Sequence, residues 1–170
     1  EDIQKITRNG TIIIAPADVS SKMRHIDSKV DIKIADSETR MEFEELGVKF
    51  WCVPSYNINK SFHAREEDWM GYILDFDGVL VYHAGDTDLI PEMQKLTGHN
   101  QAKKKFIALL PIGGRFTMSV DEAFEAVKLI KPSLVIPMHY GSVVGTEKDA
   151  KEFYDLCKAE GFEVEVLQAE

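Results

Sequence analysis

A layered α/β domain is the fold this sequence predicts, and three observations carry the prediction. Two apolar runs, "FIALLP" (106–111) and "SLVIPM" (133–138), lack alternation, as strands covered on both faces do. Between them, "SVDEAFEAVKLIKP" places apolar residues at Val120, Ala123, Phe124, Val127 and Ile130, which is one face of a helix. Upstream, "GYILDF" and "VLVYHA" flank Asp77-Gly78, the pair that a two-residue hairpin turn prefers. Early hairpins followed by a β-α-β-α-β section make a single layered domain.

Taken in order, the elements are these. "EDIQKI" (1–6) reads as the first turns of a helix, and "TIIIAP" (11–16) as a short buried strand ended by Pro16. "RMEFEELG" (40–47) alternates as a half-exposed strand, and "VKFWCVP" (48–54) runs as a strand into a loop. Ser119 is placed as an N-cap with Glu122 three residues on, and Pro132 stops that helix. "TEKDAKEFYDLCKAEG" repeats the pattern, with Thr146 as cap, Asp149 in the first turn and Gly161 as terminator. "EVEVLQ" (163–168) is a final strand. No internal repeat, low-complexity segment or linker interrupts the chain.

Composition narrows the function classes. A hydrophobic fraction of 44% with 29% charged residues over 170 residues is that of one globular domain with a sizeable core. No apolar run reaches the roughly 18–20 residues a membrane span needs. A net charge of −9 argues against a nucleic-acid surface, and the one basic cluster, Lys103 to Lys105, reads as a solvated loop. Cys52 and Cys157 lie far apart and read as reduced thiols of a cytoplasmic protein.

The stretch "GYILDFDGVLVYHAGDT" (71–87) holds three aspartates, and chemistry separates them. "LDFDGVL" looks like the nucleophile motif of a dehalogenase-type phosphatase, but Asp77-Gly78 runs at once into another strand, with no room for a crossover helix. Asp75 and Asp77 are therefore turn residues. Asp86 follows a buried strand behind a glycine, where a carboxylate must be paired, hydrogen-bonded or on a metal. His139 in "VIPMHYG" likewise follows a buried strand, His63 sits in the loop leading to the hairpin, and "LLPIGGRFTM" supplies a glycine pair at a fourth strand end. Histidines and an aspartate at separate strand ends are the borderline-hard ligands that zinc, manganese or iron uses.

The strings "HAGDT", "LPIGG" with "FTM", and "PMHYG" resemble the metallo-β-lactamase superfamily, a likeness that covers roughly residues 1–160. The nearest likeness is its branch of metal-dependent hydrolases similar to ascorbate-6-phosphate lactonase and N-acyl-phosphatidylethanolamine phospholipase D. The resemblance implies an αββα sandwich with a dinuclear site at its edge, holding two Zn2+, with Mn2+ or Fe2+ as alternatives. It implies that Asp86 bridges the metals, that His139 ligates the second and that His63 ligates the first. Asp86 and His139 would be the catalytic pair, with a metal-bound hydroxide attacking an ester-like bond (lactone, phosphodiester or related). Thr87 would steady the Asp86 carboxylate from behind, and His83 would pack beside the site. Arg115, Asn57, Lys60 and Tyr140 would hold a small-molecule substrate, a phosphorylated one included.

One departure from the family is large. The His-x-His-x-Asp-His motif is absent, and His25 in "MRHID" is the only histidine before residue 63. The expectation is a partial domain over 1–170, the C-terminal two-thirds to three-quarters of the sandwich, with the first strands and the motif upstream. Such a chain alone should be inactive and should self-associate to a homo-oligomer through its uncovered apolar face. The rival reading is a metal-free, non-catalytic domain of the same fold that acts as a binding or assembly module.

Overall fold

The computed structural model describes residues 2–23, 26, 29–100 and 104–167; His25 and Lys103 lie outside them. Its centre is a six-stranded sheet of β3 (Arg40–Phe43), β4 (Val48–Pro54), β5 (Met70–Phe76), β6 (Val79–His83), β7 (Lys105–Pro111) and β8 (Leu134–Met138), in that spatial order. Pairing is antiparallel from β3 to β6 and parallel from β6 to β8. Helices α3 (Val120–Ile130) and α4 (Glu147–Ala159) pack against the sheet in one cluster with Leu80, Tyr82, Phe106, Ala108, Leu110 and Val135. A second cluster joins Phe50, Cys52, Met70, Tyr72 and Leu74 to Ile14 of β1 (Ile12–Ala15) and to Ala35. Strand β1 pairs in parallel with β2 (Asp31–Ile34), and short helices α1 (Asp2–Ile6) and α2 (Ala17–Lys22) flank it. Helices, sheet and a second sheet therefore stack as layers, the arrangement of the sandwich.

Strand direction decides where function can sit. Because β5 runs against both β4 and β6, strands β4, β6, β7 and β8 all point the same way. Their carboxyl ends lie on one edge, which is where open α/β sheets place ligands. The β5–β6 turn is the one Asp-Gly requires, with Asp77 at φ 47° and Gly78 at φ 75°. Both predicted helix starts are realised as capping boxes, Ser119 with Glu122 and Thr146 with Asp149. At the end of α4, Gly161 is left-handed, and the Phe162 N–H donates to the Cys157 carbonyl at 2.9 Å.

Several expectations need correction. Asp75 is not a turn residue but stands in β5 opposite Leu80, and Lys105 of the basic cluster opens β7 opposite Val79. The stretch 40–47 is not one strand: β3 stops at Phe43, and Glu44–Leu46 forms a 3-10 turn closed by left-handed Gly47. "TIIIAP" is not buried throughout, since Ile12 is exposed and Ile13 half-buried, leaving Ala15 as the buried residue of β1. Strands β7 and β8 are covered fully on one face only, because Ile107, Leu109, Leu134 and Ile136 alternate as half-buried residues. "EVEVLQ" makes a single bridge, Val164 to Val135, instead of a strand. The Val135 N–H donates to the Glu163 carbonyl and the Glu165 N–H to the Val135 carbonyl. The next residue facing that edge is Pro137, which has no N–H with which to extend the ladder.

Two predictions follow from this packing. A Cβ at Gly71 would meet the backbone oxygens of Ala84 at 2.6 Å and His83 at 2.8 Å. Gly71→Ala should therefore cost about 1–3 kcal/mol in urea unfolding; an unchanged midpoint would show that β5 and β6 can spread. Burial pushes the Cys52 thiol up to about 11, with Asp36 and Asp68 adding to the effect, and the Cys157 thiol up to about 12. At pH 8 neither should react with a disulfide reagent until the protein unfolds, and rapid native-state labelling of either would contradict the packing.

Candidate metal centre

Three of the aligned strand ends, and the loop after the fourth, deliver the site. Asp86 lies three residues beyond β6, behind Gly85 at φ 70°. His139 follows β8 directly, and His63 is carried by the loop that leaves β4. Asp86 Oδ2 lies 3.5 Å from His139 Nε2 and 3.9 Å from His63 Nε2. One carboxylate oxygen therefore stands between two imidazoles from distant parts of the chain. Both histidines hold left-handed backbone conformations, φ 54° at His63 and φ 59° at His139. Left-handed non-glycine residues cost energy and cluster at functional sites. The fourth strand end, after β7, comes up under His139. A Cβ at Gly113 would lie 2.5 Å from the His139 carbonyl and 3.1 Å from its Nδ1, so only glycine lets the two loops meet.

Two imidazoles and a carboxylate suit a divalent ion by donor chemistry. Among the described residues, no three His, Cys, Asp or Glu side chains are drawn together tightly enough to enclose one. The arc is open, with the Asp86 side chain 45% exposed against 17% for His63. Trp69 packs against His63 with ring centroids 5.1 Å apart and closes that side.

The other expected residues fall into two groups. Arg115 is exposed, lies 4.9 Å over the Phe116 ring and has no carboxylate partner among the described residues. Tyr140, beside His139, is half-buried; burial first, and the Glu147 carboxylate second, hold its phenol above the ordinary tyrosine range. These two keep polar groups free. Lys60 does not, since its ammonium donates to Asp88, to the Thr117 carbonyl at 2.8 Å and to the Gly114 carbonyl at 3.3 Å. Asn57 is buried, and its amide donates to the Phe116 carbonyl at 2.7 Å while lying 3.5 Å from His63 Nδ1. Its Oδ1 is buried without a partner.

Thr87 differs from expectation. Its hydroxyl accepts from the Tyr56 N–H at 3.2 Å and lies 3.0 Å from the Tyr56 carbonyl, so it binds the neighbouring loop and not the Asp86 carboxylate. His83 is exposed, and its Nδ1 accepts from the Gly85 N–H at 3.2 Å, steadying the turn into Asp86. Partial desolvation lowers its pKa despite the opposing pull of Asp86, which favours the neutral ring that this hydrogen bond needs. Asp88 was not singled out by sequence, although "GDTD" shows a second carboxylate two residues after Asp86. A second carboxylate so near a candidate ligand is the available signal.

Comparison with known proteins identifies the family. The family described as "Beta-lactamase superfamily domain" matches residues 1–140. A UPF0173 metal-dependent hydrolase of Thermoplasma acidophilum is 34% identical over 170 residues, covering 100% of this chain and 73% of the relative. Another, from Archaeoglobus fulgidus, is 42% identical over 97 residues, which is 57% of this chain and 41% of that protein. Among solved structures, a protein of Parabacteroides distasonis described as a metal-dependent hydrolase superposes with a TM-score of 0.79 at 30% identity, covering 99% of this chain and 69% of its own. Sequence and fold agree: the chain belongs to the beta-lactamase superfamily and is similar to members named metal-dependent hydrolases, of whose length it spans only part.

Proposed function

We propose that this chain carries part of the catalytic site of a hydrolase acting on an ester-like bond, a lactone, phosphodiester or relative, in a small molecule. One observation carries the reading: Asp86 Oδ2 lies between His63 Nε2 and His139 Nε2. His63, Asp86 and His139 would hold divalent ions, zinc first and manganese or iron as alternatives. When bound, such ions supply Lewis acidity and bring the pKa of a water toward about 7. With Oδ2 turned to the imidazoles, Asp86 keeps Oδ1 to accept the proton that the attacking water gives up. Tyr140, protonated at neutral pH, can donate to the developing oxyanion, and Arg115 can hold an anionic arm of the substrate. Lys60 and Asn57 drop out of substrate binding in this reading, because their donors are already engaged. No helix among the described residues is long and apolar enough to cross a membrane.

A second reading, a metal-free binding module of the same fold, draws on the open donor set. Metal content of the whole protein separates the two, since a binding module would purify and function without ions.

Three measurements bear on the proposal. Asp86→Ala in the whole protein should lower hydrolysis by at least about a thousand-fold and reduce bound zinc. Asp77→Asn should leave both nearly intact, because asparagine tolerates the left-handed turn position; equal losses in the two variants would overturn the assignment. By calorimetric titration, residues 1–170 alone should bind zinc no tighter than about micromolar, about −8 kcal/mol. Nanomolar binding would mean that ligands beyond these three complete the site.

A further inference from the structure

We infer that the buried Lys60–Asp88 ion pair is a positioning device that fixes His63 relative to Asp86, an inference that rests on the metal-site reading above. Three loops meet at this pair. Asp88 Oδ2 accepts from the Ile58 N–H at 2.8 Å, and its Oδ1 accepts from the Lys60 ammonium. Lys60 also reaches the carbonyls of Gly114 and Thr117, which lie in the loop that passes under His139. The Asp88 side chain is 5% exposed and that of Lys60 is 23% exposed, so water screens the pair poorly.

The surrounding backbone shows what the pair controls. The Asp88 N–H donates to the Tyr56 carbonyl at 3.0 Å, and the Asn57 N–H donates to the His63 carbonyl at 2.8 Å. The Met118 N–H donates to the Thr87 carbonyl at 3.0 Å. Residues 55–63, 86–88 and 113–118 are therefore stitched together, and the Lys60–Asp88 pair adds a charged contact to those stitches. His63 is held by no regular element: it sits at positive φ in a loop, with its ring against Trp69. Its distance from Asp86 is set by how the 55–63 loop lies on residues 86–88, where Asp88 receives the Ile58 N–H and Lys60 while the Thr87 hydroxyl receives the Tyr56 N–H. Among the described residues, neither Lys60 nor Asp88 shares a hydrogen bond with Asp86.

The test separates positioning from simple stability. Asp88→Asn keeps the size and an acceptor for the Ile58 N–H while removing the charge that holds Lys60. Lys60→Met with Asp88→Leu removes both charges and refills the space with apolar atoms, which for a buried pair commonly restores stability. In the whole protein, the double variant should melt near wild type yet bind zinc at least about tenfold more weakly. In the metal-free state, the ring nitrogen signals of His63 in long-range 1H–15N spectra should broaden or double in both variants, where wild type gives one set. Zinc affinity that recovers along with melting temperature in the double variant would overturn the inference, as would a single unshifted His63 signal in Asp88→Asn. If the double variant fails to fold, the Asp88→Asn spectra decide alone. If wild type binds no zinc, the metal-site reading fails, while the metal-free His63 spectra still judge the ion pair.

Discussion

The register of one hairpin governs the site. Asp77 and Gly78 both take positive φ, which closes a two-residue turn and fixes Tyr72 opposite His83. Gly71 is then brought against Ala84, at a backbone approach that no side chain permits. From Ala84 the chain has only a glycine before Asp86, so the position of that carboxylate is inherited from the turn. A slip of one residue would send every side chain of β6 to the opposite face and Tyr82 out of the core. Asp77 thus has an indirect part in the chemistry that "LDFDGVL" first suggests for it: it aims the aspartate nine residues later.

Much of this arrangement was legible in the sequence, and the reasons are local. Capping boxes, the Asp-Gly turn and the Gly161 terminator are short-range chemistry, in which residue types three or four positions apart determine the outcome. The apolar runs of β7 and β8 showed as strands because parallel neighbours leave little room for charge. What was illegible depends on partners far along the chain. The end of the 163–168 segment is decided by Pro137, a residue of the strand it would have joined. The pairing of β1 with β2 depends on a segment, "DIKI", with too little apolar periodicity to announce itself.

The site was legible in a similar, partial way. Asp86, His63 and His139 stand out because histidine and aspartate after apolar strands have few structural uses. The roles of their neighbours did not follow from residue type. Lys60 and Asn57 look like substrate-binding polar residues and are instead engaged with Asp88 and with the 114–117 backbone. Thr87 looks like a partner for Asp86, yet its hydroxyl is drawn to Tyr56, because an orphaned backbone N–H inside the protein is costlier than an exposed carboxylate left to water. Burial, which sequence reports only on average, decides which polar group faces the ligand.

The left-handed backbone at His63 and His139 has an evolutionary consequence. Asparagine, aspartate and histidine are the non-glycine residues that enter this region most readily, whereas β-branched residues are strongly disfavoured there. At these two positions the chain can therefore exchange histidine for asparagine or aspartate with little backbone penalty. Drift toward a small aliphatic residue is resisted by the conformation itself, independently of any metal. A lineage that lost the ions would then be expected to show asparagine or glycine at positions 63 and 139 well before valine or isoleucine.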